Sequence, residues 1–189
     1  MNNTKADRRI RKTQALLRNT LTRLLMEKDL KNISVSELTD MADVNRGTFY
    51  LHYKDIYDLF EQIESQALEE FTRIIKEYQQ RESLVWKDIM LDLFKYIAAN
   101  ADIFIAILKM RESTFLSKII EMNRPTNKEQ WKKLFTQGRE EYYDYYFAFI
   151  TSGCIETVRS WFNKGMPESA EQMADLTEKL MTSCIKNLS

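Results

Sequence analysis

His52 is the only histidine in the 189-residue chain, and Cys154 and Cys184 are the only cysteines. A Ser-His-Asp hydrolase or a histidine-based metal site would have to be assembled around that one imidazole. No Cys-x-x-Cys pair is present to hold zinc or run redox chemistry. The phosphate-cradling and nucleophile motifs G-x-x-x-x-G-K-[ST], G-x-G-x-x-G and G-x-S-x-G are missing from the sequence. The segment around His52 offers a different chemistry: Arg46, Thr48, Tyr50 and His52 are polar groups suited to hydrogen bonding rather than to bond breaking. No catalytic residue, cofactor or metal ion is expected, and the chain is not read as an enzyme.

The elements that must carry these groups are helical. A hydrophobic fraction of 44% with 12% aromatics indicates a globular core, while 30% charged residues imply much solvated helix surface. Four Gly and two Pro leave little material for hairpins. Between Asp7 and Lys28 apolar residues recur at Leu17, Leu21, Leu24 and Leu25, with Leu16 beside them, which predicts a first helix. Asn32-Ile33 breaks it. Ser34-Val35-Ser36-Glu37 then has the capping-box form, in which Ser34 and Glu37 are expected to satisfy each other's free amides. A second helix follows to Met41 or Ala42, a turn at Asp43-Val44-Asn45, and a short third helix over 46–51. From Asp55 the stripe Ile56, Phe60, Ile63, Ala67, Phe71, Ile74, Tyr78 predicts a fourth helix of six or more turns.

This order is that of a helix-turn-helix. Leu38, Ala42, Val44 and Phe49 are spaced to form a small core, which leaves Arg46, Thr48, Tyr50 and His52 facing outward. The formal net charge is zero, but residues 1–54 carry 11 Lys and Arg against 6 Asp and Glu, and the remainder carries 17 against 22. A basic head on an acidic body is the implied layout.

Residues 10–60 resemble the DNA-binding domain of the tetracycline-repressor (TetR) family, and the stretch Val44 to Tyr53, VNRGTFYLHY, carries most of the resemblance. It implies that Arg46, Gly47 and Thr48 open the recognition helix, with Arg46 as the guanine-reading side chain and Thr48 meeting a thymine methyl or a phosphate. Gly47 would let the backbone come close, and Tyr50 and His52 would bond phosphates. Ser34 and Ser36 at the start of the support helix, and Lys54 before the fourth helix, would position the duplex rather than read it. The chain departs from the family pattern at Ile56, where a second Lys is common, and at Asp43, where Gly is common. Weaker phosphate clamping by the fourth helix and a left-handed Asp are the expected consequences. Lys5, Arg8, Arg9, Arg11 and Lys12 form either an arm over the DNA backbone or a solvated basic terminus.

The body is expected to continue as helices over 84–99, 101–110, 113–122, 128–163 (with a division near Gly138) and 168–187, with the segment 128–163 stopped by Gly165 and Pro167. The aromatic run 142–149 and the tail 153–165 also resemble the family's regulatory domain. That likeness implies a four-helix bundle with a partner subunit through Gly153, Val158, Trp161, Met173, Leu176, Leu180 and Cys184. Trp86, Met90, Phe94, Phe104, Leu108, Phe115, Tyr143 and Phe147 are candidates to line an effector pocket, with an ordinary core as the competing reading.

The expected architecture is therefore all-α: a three-helix head, 1–54, and a helical-bundle regulatory body, 55–189, with about nine helices. The expected function is sequence-specific recognition of double-stranded DNA by a homodimer on an inverted repeat, as a transcriptional repressor modulated by a small molecule or partner. An adaptor whose head has lost DNA binding is the rival, hinted at by Ile56. No apolar run approaches the ~20 residues of a membrane span, and the polar start MNNTKADRR lacks a signal-peptide core. A cytoplasmic protein is expected.

Overall fold

The computed structural model describes residues 3–79, 86–110, 113–123 and 140–186, and among them are nine α-helices and no strand. The chain divides into two compact units, Met1–Ala67 with Asp102–Ser113, and Leu68–Ala101 with Thr114–Ser189.

In the first unit α1 (Asn3–Glu27) buries Leu17, Leu21, Leu24 and Leu25, the stripe its spacing predicts, while Leu16 stays exposed. A 3₁₀ turn at Leu30–Asn32 leads to α2 (Val35–Ala42), which packs against α1, and then to α3 (Arg46–Tyr50). Helix α4 (Ile56–Gln79) begins in this unit and buries Ile56, Phe60, Ile63 and Ala67 there. Helix α6 (Ala101–Lys109), expected to be part of the body, belongs to the first unit from Asp102 onward, with Phe104, Ala106 and Ile107 buried. Arg8, Arg9, Arg11 and Lys12 are exposed on α1, so they lie on helix rather than on an extended arm. The Lys5 side chain lies outside the described residues.

The second unit holds the end of α4, then α5 (Trp86–Ala99), α7 (Phe115–Asn123), α8 (Tyr143–Asn163) and α9 (Ala170–Lys186). Leu84, the stretch 128–139 and Gly138 fall outside the described residues. Two apolar clusters organise the unit. Ile74, Tyr78, Ile89 and Leu93 join α4 to α5, and Tyr78 donates its hydroxyl to Asp92 Oδ2 at 2.6 Å. Phe147, Ile150 and Met181 join α8 to α9, with Trp86, Met90, Ile120, Tyr143 and Cys154 against them. Helices α5 and α9 pack along their length and are tied outside by Lys87–Asp175 at 2.7 Å.

Helix α8 ends as the Gly165-Met-Pro signal predicts. Gly165 takes φ 78°, its N–H bonds Phe162 O at 2.9 Å, and the Met166 N–H bonds Trp161 O at 3.0 Å, a Schellman closure that absorbs two free carbonyls. Helix α9 starts with a reciprocal capping box that the sequence analysis did not identify. Ser169 Oγ accepts from the Gln172 N–H at 3.3 Å, and the Ser169 N–H donates to Gln172 Oε1 at 2.8 Å. Cys154 is a free thiol, and burial pushes its pKa up to about 11.

Candidate nucleic-acid interface

Ser34 sets the start of α2. Its backbone is extended, and its Oγ accepts from the Glu37 N–H at 3.1 Å. The second half of the expected capping box is replaced: the Glu37 carboxylate takes the Lys28 ammonium from the end of α1, a charge-assisted bond that a neutral amide does not match. Helix α2 closes at Asp43, which adopts the left-handed conformation at φ 52°, ψ 46°. The Val44 N–H then bonds Thr39 O at 3.0 Å. The expectation that this turn demands an αL-tolerant Asp in place of Gly agrees with that geometry.

Asn45 caps α3, accepting the Gly47 N–H on its side-chain oxygen at 2.7 Å. A Cβ at Gly47 would sit 3.1 Å from the same oxygen, so Gly47 accommodates the cap as well as keeping the helix start slim. Phe49 is fully buried, with Tyr50 and Tyr53 rings at 5.4 and 5.5 Å. Leu38 and Ala42 are buried with it, and Val44 is half-buried. Anchoring on that one side turns the other side of α3 outward. Arg46, Gly47, Tyr50 and Lys54 are exposed, Ser34 is exposed on α2's start, and Ser36, Thr48 and His52 are half-buried. The Arg46 guanidinium donates through Nη2 to Ser36 Oγ, and Ser36 Oγ bonds Asp40 Oδ2 at 3.3 Å. The Arg46 side chain is thus held across the turn onto α2.

A five-residue helix depends heavily on its cap. Asn45→Ala is expected to cost about 1 kcal/mol, or roughly 2–4 °C in Tm for a chain of this size. Asn45→Ser should recover most of the loss in a thermal melt, and equal Tm values for all three proteins would contradict the capping role.

Residues 17–63 match the family profile described as bacterial regulatory proteins, tetR family, and residues 85–183 match one described as transcriptional regulator C-terminal region. The chain belongs to the TetR family of bacterial transcriptional regulators. It is a DNA-binding regulator and not an enzyme. It is similar to the uncharacterized HTH-type transcriptional regulator YxbF of Bacillus subtilis (strain 168), 32% identical over 50 residues, which are 26% of this chain and 13% of that relative. Its fold is similar to a TetR transcriptional regulator from Streptococcus agalactiae 2603V, with TM-score 0.61, 20% identity, and 95% and 99% of the two chains covered. It is similar too to the dihydroxyacetone kinase operon activator DhaS, with TM-score 0.58, 17% identity, and 94% and 98% covered. Among the described residues no helix is long and apolar enough to cross a membrane, and no cluster of metal-ligating side chains occurs.

The body residues of this TetR-family chain divide by burial. Of the expected interface set, Gly153, Leu176 and Leu180 are exposed, and Val158 is half-buried. Trp161 and Met173, expected on that surface, are 2% and 3% exposed and belong to the protomer's own core. Trp161 packs edge-on to Phe94 at 5.5 Å and donates Nε1 to Glu168 O at 3.1 Å, so a partner subunit would not reach it. The Cys184 side chain lies outside the described residues. Tyr145 and Phe149, not singled out beyond the aromatic run, are 74% and 66% exposed and align with Gly153 at steps of four. Of the expected pocket set, Trp86, Met90, Tyr143 and Phe147 meet in one cluster, while Phe115 stacks edge-on with Phe71 at 5.9 Å. Phe104 and Leu108 are on α6 in the first unit, so the eight residues do not share one site within the second.

The start of α4 holds two residues that sequence reasoning missed. The Asp58 N–H bonds Asp55 Oδ1 at 2.9 Å, and the Lys54 N–H bonds Asp58 Oδ2 at 2.8 Å. The Lys54 amide, then the Gln62 side chain, holds the Asp58 carboxyl below its ordinary range. The Lys54 and Asp58 amides are thus engaged by the chain's own acids. The D-x-x-D spacing was the available signal. Leu51, 79% exposed at the end of α3, adds an apolar contact point that stood out only as a break in the polar pattern.

Proposed function

We propose that the protein is a homodimeric repressor that reads an inverted-repeat operator with α3 of each subunit and is released or modulated by an effector in the regulatory region. The carrying observation is the outward face of α3: a capped, anchored helix whose exposed side presents Arg46, Gly47 and Tyr50, with Thr48 and His52 at its edge. Arg46 would exchange Ser36 for guanine O6 and N7, and Thr48 would meet a thymine methyl. Tyr50, His52, Lys54, Ser34 and Ser36 would hold phosphates and fix the register. Functionally, 1–54 is the reading head, and 55–189 carries sensing and dimerisation.

The exposed stripes Tyr145–Phe149–Gly153 on α8 and Leu176–Leu180 on α9 support pairing of two copies. Two heads about 34–36 Å apart would match successive major grooves. The apolar cluster of Trp86, Met90, Tyr143 and Phe147 supports an effector of apolar character, and α4, which contributes to both units, is the element through which a shift would reach the head. Repression requires only occupancy of the operator, whereas activation requires a further contact with the transcription machinery. The name of the similar DhaS marks activation as the rival sign. A regulator of this kind acts where the DNA is, in the cytoplasm.

The first experiment titrates the protein into labelled duplex from upstream of its own gene and into a shuffled duplex of equal composition, across salt concentrations. Tight binding of two subunits to the first alone is the expected result. No binding to either, or to duplexes selected from a random pool, would return the adaptor reading.

A further inference from the structure

A cleft of about 130 Å³ lies between α1 and α4 within the first unit. Arg11, Gln14 and Arg18 line it from α1, and Tyr53, Gln62 and Gln66 from the start of α4 and the segment before it. Among the described residues no carboxylate lines it. Arg18 is the informative member. Its Nη1 donates to Gln66 Oε1 at 2.9 Å, while its Nε is shut away from solvent with no acceptor in reach. A charged donor left unsatisfied in this way is more costly than a neutral one.

The unengaged edge of this guanidinium, Nε with Nη2, is the fork that matches two oxygens of a carboxylate or phosphate. Neighbouring groups are set to donate as well. Gln66 has committed its oxygen to Arg18, so its amide nitrogen is the end that remains. Gln62 is the exception, since its nitrogen is already tied to Asp58 Oδ1 at 3.1 Å. Burial, opposed by Arg18 and aided by the nearby Asp58 carboxylate, raises the pKa of the Tyr53 hydroxyl, so it remains a donor at neutral pH. Arg11 adds a second positive charge, spending only a long 3.4 Å bond on the Asp7 carbonyl.

We propose that this cleft binds a small oxyanion, a phosphate or carboxylate group, on the Arg18 guanidinium, entering at Nη2 and drawing the enclosed Nε into the same pair of bonds. The group comes either from a free anion in solution or from a phosphate of the DNA backbone. The second source would compensate for the acid-capped start of α4. Neither involves the apolar cluster of the second unit.

The test follows the arginine Nε–H signals of the full-length protein by NMR, with Arg18 assigned through Arg18→Lys. Inorganic phosphate and, in parallel, acetate are titrated at constant ionic strength against chloride. A saturable shift of the Arg18 signal is expected. At ten times the half-saturating concentration Tm should rise by roughly 3–6 °C. Gln66→Glu gives Arg18 an internal carboxylate, is compatible with the fold, and should abolish both effects; this outcome assigns the free anion. If neither anion acts but Gln66→Glu lowers the slope of log affinity for duplex against log salt by about one, the occupant is a backbone phosphate. Arg18 signals that follow ionic strength alone, with an unchanged duplex slope in Gln66→Glu, would mean that the cleft holds only water and would overturn the proposal.

Discussion

Arg46→Ala is expected to reduce the preference for operator over shuffled duplex by about two to four orders of magnitude. A bidentate Arg–guanine pair discriminates by about 1–3 kcal/mol, and a dimer makes the contact in two half-sites. Little of this loss should arise from folding. Arg46 is exposed, and its bond to Ser36 lies at the surface, so the change in stability should stay within about 0.5 kcal/mol. Arg46→Lys separates charge from geometry, because it keeps the cation and loses the planar fork. It should retain binding to shuffled duplex while recovering little of the discrimination. Competition titrations of the three proteins read these ratios directly, and an unchanged ratio for Arg46→Ala would remove this side chain from base reading.

Phe149→Glu is expected to convert the protein to a monomer and, through that, to weaken operator binding by roughly 10²–10⁴-fold, the gain that linking two heads provides. Phe149 projects from α8 with two-thirds of its surface exposed, so a carboxylate there should cost an isolated subunit little. At a face where Phe149 would meet apolar groups of a second copy, the same charge is buried without a partner. Sedimentation at micromolar concentration should show halved mass with retained helical circular dichroism. Trp161→Ala is the informative contrast. That indole is buried against Phe94, so its removal should destabilise the subunit by about 3–5 kcal/mol rather than dissociate a dimer. A Phe149→Glu protein that stays dimeric would place the interface elsewhere.

The helices of the head were legible because each is marked locally. The Leu17–Leu21–Leu24 stripe, the Asp43 turn and the Asn45 cap depend on residues within a few positions of one another. The Glu37–Lys28 pair was not legible, since it spans nine positions and requires α1 and α2 to be packed first. On α9 the sequence suggested Met173, Leu176, Leu180 and Cys184 as the stripe that meets a partner subunit; Leu176 and Leu180 are exposed, whereas Met173 joins Ala174, Thr177 and Met181 on the buried face. A buried threonine disguised the inner face, and exposed leucines advertised the outer one. Helix α8 poses the same problem, because it is apolar on two faces, and periodicity alone does not say which faces inward. The roles proposed for the α3 residues come from a resemblance to a known family, and burial of Phe49 alone would have predicted only that they face outward. The assignment of α6 to the first unit lies beyond local pattern altogether, since it follows from contacts between segments far apart in the chain.

The construction of α3 divides labour between two sets of residues. Asp43, Asn45, Phe49 and Tyr53 set the turn, the cap and the anchor, and all of them act towards the interior or the backbone. Arg46 and Tyr50 extend from the opposite side, and of the two only Tyr50 touches the core, through the edge of Phe49. If these two side chains read the operator as proposed, substitutions at them should sample new DNA preferences at almost constant foldedness. A library varying them while keeping the four framework residues should consist mostly of folded proteins, and the head can acquire a different operator without passing through a collapsed intermediate sequence.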